Sequence, residues 1–244
     1  MPQRIALVTG GAGGIGSAVC HALAGAGCGV AVCDVRGEEA DALAGEIGGL
    51  GVSLDVTSAD SVAGAVRLIE SSLGPIDIAV NNAGWDELMP FLETDEAFWA
   101  KVLEINLTGG LRVTHAVLGG MLERGWGRIV NVASDAGRVG SSSEAAYSGA
   151  KGGLIAFTKT IARESARRGV TANAVCPGPT RTPLLESMTA DGGGRLIDAL
   201  TRAVPMRRLA EPADIAAAVA FFASEGAGYI TGQTLSVSGG MTMA

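Results

Sequence analysis

Short runs of uninterrupted apolar residues alternate along this chain with longer stretches whose apolar positions recur every three or four residues. The runs at 4–9, 29–34, 50–54, 76–81, 127–133, 170–176 and 233–237 read as strands, several of them too continuously apolar for a half-exposed strand. The stretches at 14–26, 37–47, 58–72, 95–123, 143–168 and 212–224 carry the helical period. Regular β-α alternation implies parallel strands joined by right-handed crossovers. The expected fold is therefore α/β: a doubly wound, parallel, seven-stranded sheet in three layers.

With 244 residues, no internal repeat and no low-complexity linker, the chain is expected to form one domain over 1–244. The segment 178–210 breaks the rhythm, with Pro179, Pro183, Pro205, the Asp-Gly-Gly-Gly run at 191–194 and five arginines. It follows the strand at 170–176, on the side where open α/β sheets bind ligands, and is expected to act as a substrate lid.

Composition narrows the function classes. Aromatic residues are 4% and hydrophobic residues 48%, so the core is built from Ala, Val, Leu and Ile. A net charge of −7 without basic runs argues against nucleic acid and anionic membrane surfaces. No apolar stretch approaches the length of a membrane span and no leader precedes the strand at Arg4, so a cytoplasmic protein is expected. Cys20, Cys28, Cys33 and Cys176 show no CxxC spacing, and with only His21 and His115 no metal site is expected.

The first strand runs straight into Thr9-Gly-Gly-Ala-Gly-Gly-Ile-Gly16 and a helical stretch. A glycine-rich turn at a helix N-terminus aims free backbone amides and the positive end of the helix dipole at one point, where a pyrophosphate can sit. Gly10 permits the tight turn, Gly14 the close approach of phosphate, and Gly16 the close packing of helix on sheet, with Ile15 between them. The second strand ends in Asp34, 18 residues after Gly16. An acid there accepts hydrogen bonds from the adenosine ribose and repels a 2′-phosphate, which favours NAD over NADP. Arg36 stands open between a phosphate partner and an exposed residue opening the next helix.

Tyr147 and Lys151 lie four apart within a helical stretch, on one face. A nearby ammonium and an oxidised nicotinamide ring both favour the phenolate, so Tyr147 could exchange a proton near neutral pH while Lys151 has donors to spare for the nicotinamide ribose. Ser134, just past the strand 127–133, can hydrogen-bond a substrate oxygen.

Together these motifs resemble the short-chain dehydrogenase/reductase family, of the compact single-domain, Rossmann-type kind, from Arg4 to about Met241. The resemblance implies that Asp55 and Val56 lie beside the adenine and that Asn81-Asn82-Ala83-Gly84 holds the central strand and the adenosine side. It assigns catalysis to Asn106, Ser134, Tyr147 and Lys151, with Asn106 bending its helix and holding a water. Pro177, Gly178, Thr180 and Thr182 are implied to fix the nicotinamide carboxamide. The implied reaction is hydride transfer between nicotinamide and a secondary alcohol, on a small-molecule substrate, in a homotetramer packed through the long helices and the C-terminal strand region. Gly109, Gly110, Gly152 and Gly153 would permit close helix approach there.

A narrower similarity is to 2-hydroxycyclohexanecarboxyl-CoA dehydrogenases. It rests on Asn82-Ala-Gly-Trp-Asp86 with Pro90-Phe91, Ala133-Ser-Asp-Ala136 with Arg138-Val-Gly-Ser-Ser142, Cys176-Pro-Gly-Pro-Thr180 and Leu235-Ser-Val-Ser-Gly-Gly-Met-Thr-Met243. On that reading Trp85 and Phe91 wall a ring, and the arginines of 181–208, with Arg138, meet CoA phosphates or make structural pairs. The alternatives are an NADPH-preferring 3-oxoacyl-thioester reductase, against which Asp34 argues, and a non-catalytic nucleotide sensor, against which the intact Asn106, Ser134, Tyr147 and Lys151 argue.

Overall fold

A computed structural model describes residues 3–188 and 194–243, with the side chains of 187, 188 and 194–196 left aside. The strands are β1 (Ile5–Thr9), β2 (Gly29–Asp34), β3 (Leu50–Ser53), β4 (Ile76–Asn81), β5 (Gly127–Val132), β6 (Val170–Pro177) and β7 (Thr234–Val237). The helices are α1 (Gly14–Gly25), α2 (Gly37–Ile47), α3 (Ala59–Ser72), α4 (Glu96–Leu103), α5 (Gly109–Arg124), α6 (Ala136–Val139), α7 (Ala145–Ser165), α8 (Pro183–Met188), α9 (Gly194–Ala203) and α10 (Pro212–Ala223).

All seven strands pair in parallel in the order β3-β2-β1-β4-β5-β6-β7. β1, β4, β5 and β6 are buried along their whole length, which is why their sequences are nearly continuous apolar runs. Two apolar layers cover the sheet. One joins Leu7, Ile69, Val113, Met121 and Ile161 beneath α3, α5 and α7. The other joins Val8, Val19, Leu23, Ile78, Ile215 and Val219 beneath α1 and α10.

Helix ends follow local chemistry. Ser58 accepts a hydrogen bond from Ser61 N at 3.2 Å and Asp95 from Phe98 N at 2.8 Å, while α2 and α5 stop at Gly48 and Gly125 in left-handed conformations.

Two expected segments change on folding. The helix expected over 95–123 divides into α4 and α5 around a π-helical turn at Glu104–Thr108, because Asn106 donates from its side chain to Val102 O at 2.9 Å and widens the backbone there. The irregular segment 178–210 contains α8 and α9, and a bridge between Thr180 and Ala210 brings its two ends together. Asp191, Gly192 and Gly193, part of the glycine run of the expected lid, lie outside the described residues.

Sheet order reverses between β1 and β4, so the chain leaves these neighbouring strands toward opposite faces and opens a crevice at their carboxyl ends. Asn82 stitches that point together: its Nδ2 donates to Thr9 O and Gly10 O, both at 3.0 Å, while Asn82 N and Ala83 N donate to Thr9 Oγ1.

Candidate active site

A cleft of about 1200 Å³ lies over the carboxyl ends of the strands. The residues expected to act in catalysis and to touch the dinucleotide line it, except Asn81 and Asn106, which are buried behind the wall.

On the β1 side the site is made of backbone. Gly10 adopts φ +60°, a conformation strained for any side chain, and a Cβ at Gly16 would run into the Gly10 carbonyl. No side chain caps α1, so the leading amides of the helix have no side-chain acceptor. Gly14 plays a part the sequence did not reveal: a Cβ there would meet Thr182 Cγ2 at 3.0 Å and Pro183 at 3.2 Å, so its bare backbone admits the start of the 178–210 segment.

Asp34 is buried at the tip of β2. It accepts from Ala12 N at 3.1 Å and from Arg36 N and Nε at 3.1 and 3.2 Å. Arg36 also pairs with Glu39 at 2.5 Å, which answers the question left open for it: the guanidinium is held between two carboxylates and raised above its usual pKa, chiefly by its bond to Asp34. Asp55 is exposed and accepts from Thr57 N and Oγ1, bonds that lower its pKa. Val56 packs beneath α5, where a Cβ at Gly109 would lie 2.7 Å from its Cγ2.

On the β5 side the site is made of side chains. A buried polar chain runs from Thr114 through Asn81 and Asn131 to Thr158, with bonds of 3.0, 2.7 and 2.7 Å, and fixes α7 against β4 and β5. α7 carries Tyr147 and Lys151 on its cleft face, with Lys151 Nζ 5.6 Å from the centre of the Tyr147 ring. Lys151 is buried and donates to Val132 O at 2.9 Å; burial lowers its pKa to about 8. Ser134 accepts from Ala136 N at 3.1 Å and hydrogen-bonds the phenol of Tyr147.

The sequence alone suggested a depressed phenol, and the protein's own groups push the other way. Burial, then the charges of Glu144 and Asp86, raise Tyr147 above the ordinary phenol range, and only the Ser134 bond lowers it. Asn106 lies in the π-helical turn, at the bend expected of its helix. Its amide is engaged with backbone, donating to Trp85 O at 2.6 Å and accepting from Trp85 N at 3.2 Å, so it holds the loop after β4. Thr182 Oγ1 accepts from Leu185 N at 3.2 Å, capping α8, while Thr180 is buried and donates to Gly178 O at 2.9 Å.

A family profile described as enoyl-(acyl carrier protein) reductase matches residues 10–242. The chain is 44% identical to nodulation protein G of Azospirillum brasilense, with 99% of each chain covered. It is 43% identical to an acetoacetyl-CoA reductase of Allochromatium vinosum, covering 98% of this chain and 99% of that one. A 3-oxoacyl-(acyl-carrier-protein) reductase of Vibrio cholerae is 41% identical, with 98% of each covered. The crystal structure of a single-substitution variant of actinorhodin polyketide ketoreductase with NADPH superposes with a TM-score of 0.93 at 38% identity, over 98% of this chain and 97% of that one. The chain belongs to the short-chain dehydrogenase/reductase family.

As a member of that family it is an oxidoreductase that uses a nicotinamide dinucleotide, and its cleft suits such a group. An uncapped helix N-terminus, a glycine turn without side chains and a buried carboxylate at the end of β2 stand in one line. Two of the relatives above, from Allochromatium vinosum and Vibrio cholerae, are named for reduction of oxoacyl thioesters, and none of those above carries the narrower name of a 2-hydroxycyclohexanecarboxyl-CoA dehydrogenase.

Several surrounding expectations are corrected. Phe91 does not line the cleft; it stacks on Trp99 at 5.4 Å and is half exposed. Trp85 does line it, braced edge-on by Phe98 at 5.8 Å and by Lys101 at 3.4 Å from the centre of its ring. Arg181 and Arg208 are paired with Glu211 and Asp214, Arg138 donates to Ser236, and the Arg195 side chain lies outside the described residues, which weakens the case for a basic entry path. Gly109, Gly110, Gly152 and Gly153 face Val56, Leu154, Gly137 and Leu107 of the same chain, so their smallness serves internal packing. Sequence reading missed the buried carboxyl of Asp86 and its neighbour Glu144; an acid three residues before Tyr147 was the available signal.

Among the described residues no helix is long and apolar enough to cross a membrane, and no cluster of His, Cys, Asp and Glu is arranged to hold a metal.

Proposed function

We propose that the protein interconverts a β-oxoacyl and a β-hydroxyacyl thioester, with Tyr147 as proton donor and acceptor and NAD(H) as the preferred dinucleotide. The observation that carries this reading is the meeting of Ser134, Tyr147 and Lys151 on one wall of a cleft whose opposite wall is the glycine turn. In the reductive direction Ser134 holds the substrate oxygen, Tyr147 gives it a proton, and Lys151 supplies positive charge beneath the phenol. The dinucleotide, when bound, supplies the hydride that reaches the carbonyl carbon. Asp34 supports NAD, since with Glu39 it surrounds Arg36 and sets negative charge where a 2′-phosphate would lie.

The linear and cyclic substrates are one chemistry, because the hydroxyl-bearing carbon of a 2-hydroxycyclohexanecarboxyl thioester is also β to the thioester carbonyl. Trp85 on the cleft wall favours a ring. The Trp-Asp pair and the segment 178–210, read as a lid over this end of the cleft, belong to the same proposal. So do a homotetramer and a reducing cytoplasm, the latter consistent with four unpaired cysteines.

The test is initial velocity with acetoacetyl-CoA and 2-oxocyclohexanecarboxyl-CoA, each with NADH and with NADPH. Turnover with either thioester and preference for NADH are expected. No turnover with either would overturn the substrate class, and preference for NADPH the cofactor assignment. A higher kcat/KM for the cyclic thioester selects the second reading over the first.

A further inference from the structure

Behind Trp85 the chain buries a carboxyl group for which the reaction above has no use. Asp86 is 5% exposed, and its Oδ2 is sealed from solvent with no donor in reach. What faces it is the side chain of Glu144, the residue preceding α7, within hydrogen-bonding reach. Two ionised carboxylates are both acceptors, so this contact is satisfied only when one of them carries a proton.

The backbone holds the pair together. Met89 N donates to Ser143 O at 2.9 Å, tying the loop after β4 to the turn before α7. Ser143 adopts φ +65°, a left-handed conformation rare for a residue with a side chain, and this turn sets Glu144 one helical turn ahead of Tyr147.

We propose that Asp86 and Glu144 share one proton as an acid pair whose remaining negative charge keeps the Tyr147 phenol protonated, biasing the site toward reduction. The pair consists of positioning residues that act through Tyr147. This rests on the proposed reaction only for its direction, since reduction consumes a phenol proton while oxidation requires the phenolate.

The surroundings agree. Lys151 on α7 is the cation facing Asp86, and the backbone amide of Glu87 donates to it, yet burial followed by the Glu144 contact lifts Asp86 to about 7. Around Tyr147 the groups are Lys151 on α7, Glu144, Asp86, Cys176 from β6 and the Ser134 hydroxyl, of which Glu144, Asp86 and Cys176 disfavour the phenolate. Lys101 is turned to the Trp85 ring.

The chain has two tyrosines, and Tyr229 is fully exposed away from the cleft, so Tyr229→Phe leaves Tyr147 as the sole phenol. In that background, tyrosinate absorbance after a rapid alkaline jump reads Tyr147 directly in the free protein. Asp86→Asn and Glu144→Gln are each expected to lower its midpoint by about one pH unit, the effect of removing a nearby like charge. Tyr147→Phe should abolish the transition and so identify it. An unmoved midpoint in both carboxyl variants overturns the proposal. Glu144 is only half buried, so its variant serves if Asp86→Asn fails to fold.

Two further readouts bear on it. At neutral pH the infrared spectrum should show a protonated-carboxyl stretch that both variants lose, and its absence from the parent protein overturns the shared proton. The ratio of kcat for oxidation to kcat for reduction, each at saturating substrates and one pH, should rise about tenfold in Asp86→Asn, matching one pH unit at the phenol; an unchanged ratio overturns the bias. Failure of thioester turnover with the absorbance shift intact would sink the substrate assignment and leave the acid pair standing.

Discussion

The two walls of the cleft are built on different principles. The β1 wall recognises its ligand by leaving things out: side chains at Gly10 and Gly16, a cap on α1. The β5 wall works by putting things in, with Ser134, Tyr147 and Lys151 set by a buried polar chain through Asn81, Asn131 and Thr158. The first wall is local, a turn and the helix it starts. The second is assembled from β4, β5, α5 and α7, so its electrostatics depend on residues distant in sequence. The lesson is that binding and chemistry should fail separately.

The strongest test of that separation is Tyr147→Phe. It should lower kcat by on the order of 10³-fold while dinucleotide affinity, measured by fluorescence titration, stays within about twofold. Loss of binding in parallel would mean that the two walls are one unit.

Gly16→Ala attacks the other wall. Its Cβ has nowhere to go but against the Gly10 carbonyl, and a cost of about 1–3 kcal/mol in stability is expected from thermal or urea unfolding, with weaker dinucleotide binding. A variant as stable as the parent and binding equally well would show that the turn is looser than its geometry.

Asp86→Asn sharpens the contrast through pH. The folded protein raises Asp86 from 3.8 to about 7, so it holds this proton more tightly than the unfolded chain. That contribution is complete below about pH 4 and is lost as pH rises through 7. Replacing the carboxyl should therefore favour the variant by on the order of 1–3 kcal/mol more at pH 8 than at pH 4, read as the difference of two urea titrations. Equal differences at both pH values would mean that the carboxyl is hydrated.

Asp34→Ala should relax discrimination between NADH and NADPH by about tenfold, a change near 1.4 kcal/mol, in the ratio of kcat/KM values. An unchanged ratio would shift the recognition to Arg36. The smallest effect belongs to the aromatics: Phe91→Ala should leave KM for a thioester within about twofold, while Trp85→Ala raises it about tenfold, in keeping with the aromatic stacking of Phe91 on Trp99 outside the cleft. Equal effects would return Phe91 to the substrate wall.

How legible each wall was from the chain follows from the same difference. The turn at residues 9–16 and the acid at 34 could be read because the interactions are between neighbours and demand particular residue types at fixed spacing. Tyr147 and Lys151 were readable as a pair for the same reason, being one helical turn apart. The sign of the local field was not. Lys151 lies where expected, yet the Tyr147 phenol is raised because Asp86, 61 positions earlier, is folded against Glu144. Arg36, Phe91 and the four glycines were ambiguous for a related reason: a side chain's identity does not say which neighbour it meets.

By itself, the order of apolar runs determined seven parallel strands, the layers around them and the end of the sheet at which a dinucleotide lies, because buried strands and crossover helices impose their own periodicity and handedness. Only the tertiary structure decided that Asn106 holds the Trp85 loop, that Gly14 makes room for Thr182, and that two carboxyls meet beside the phenol. Those depend on distances between segments far apart in the chain, and charge and packing act through distance, which no local pattern encodes.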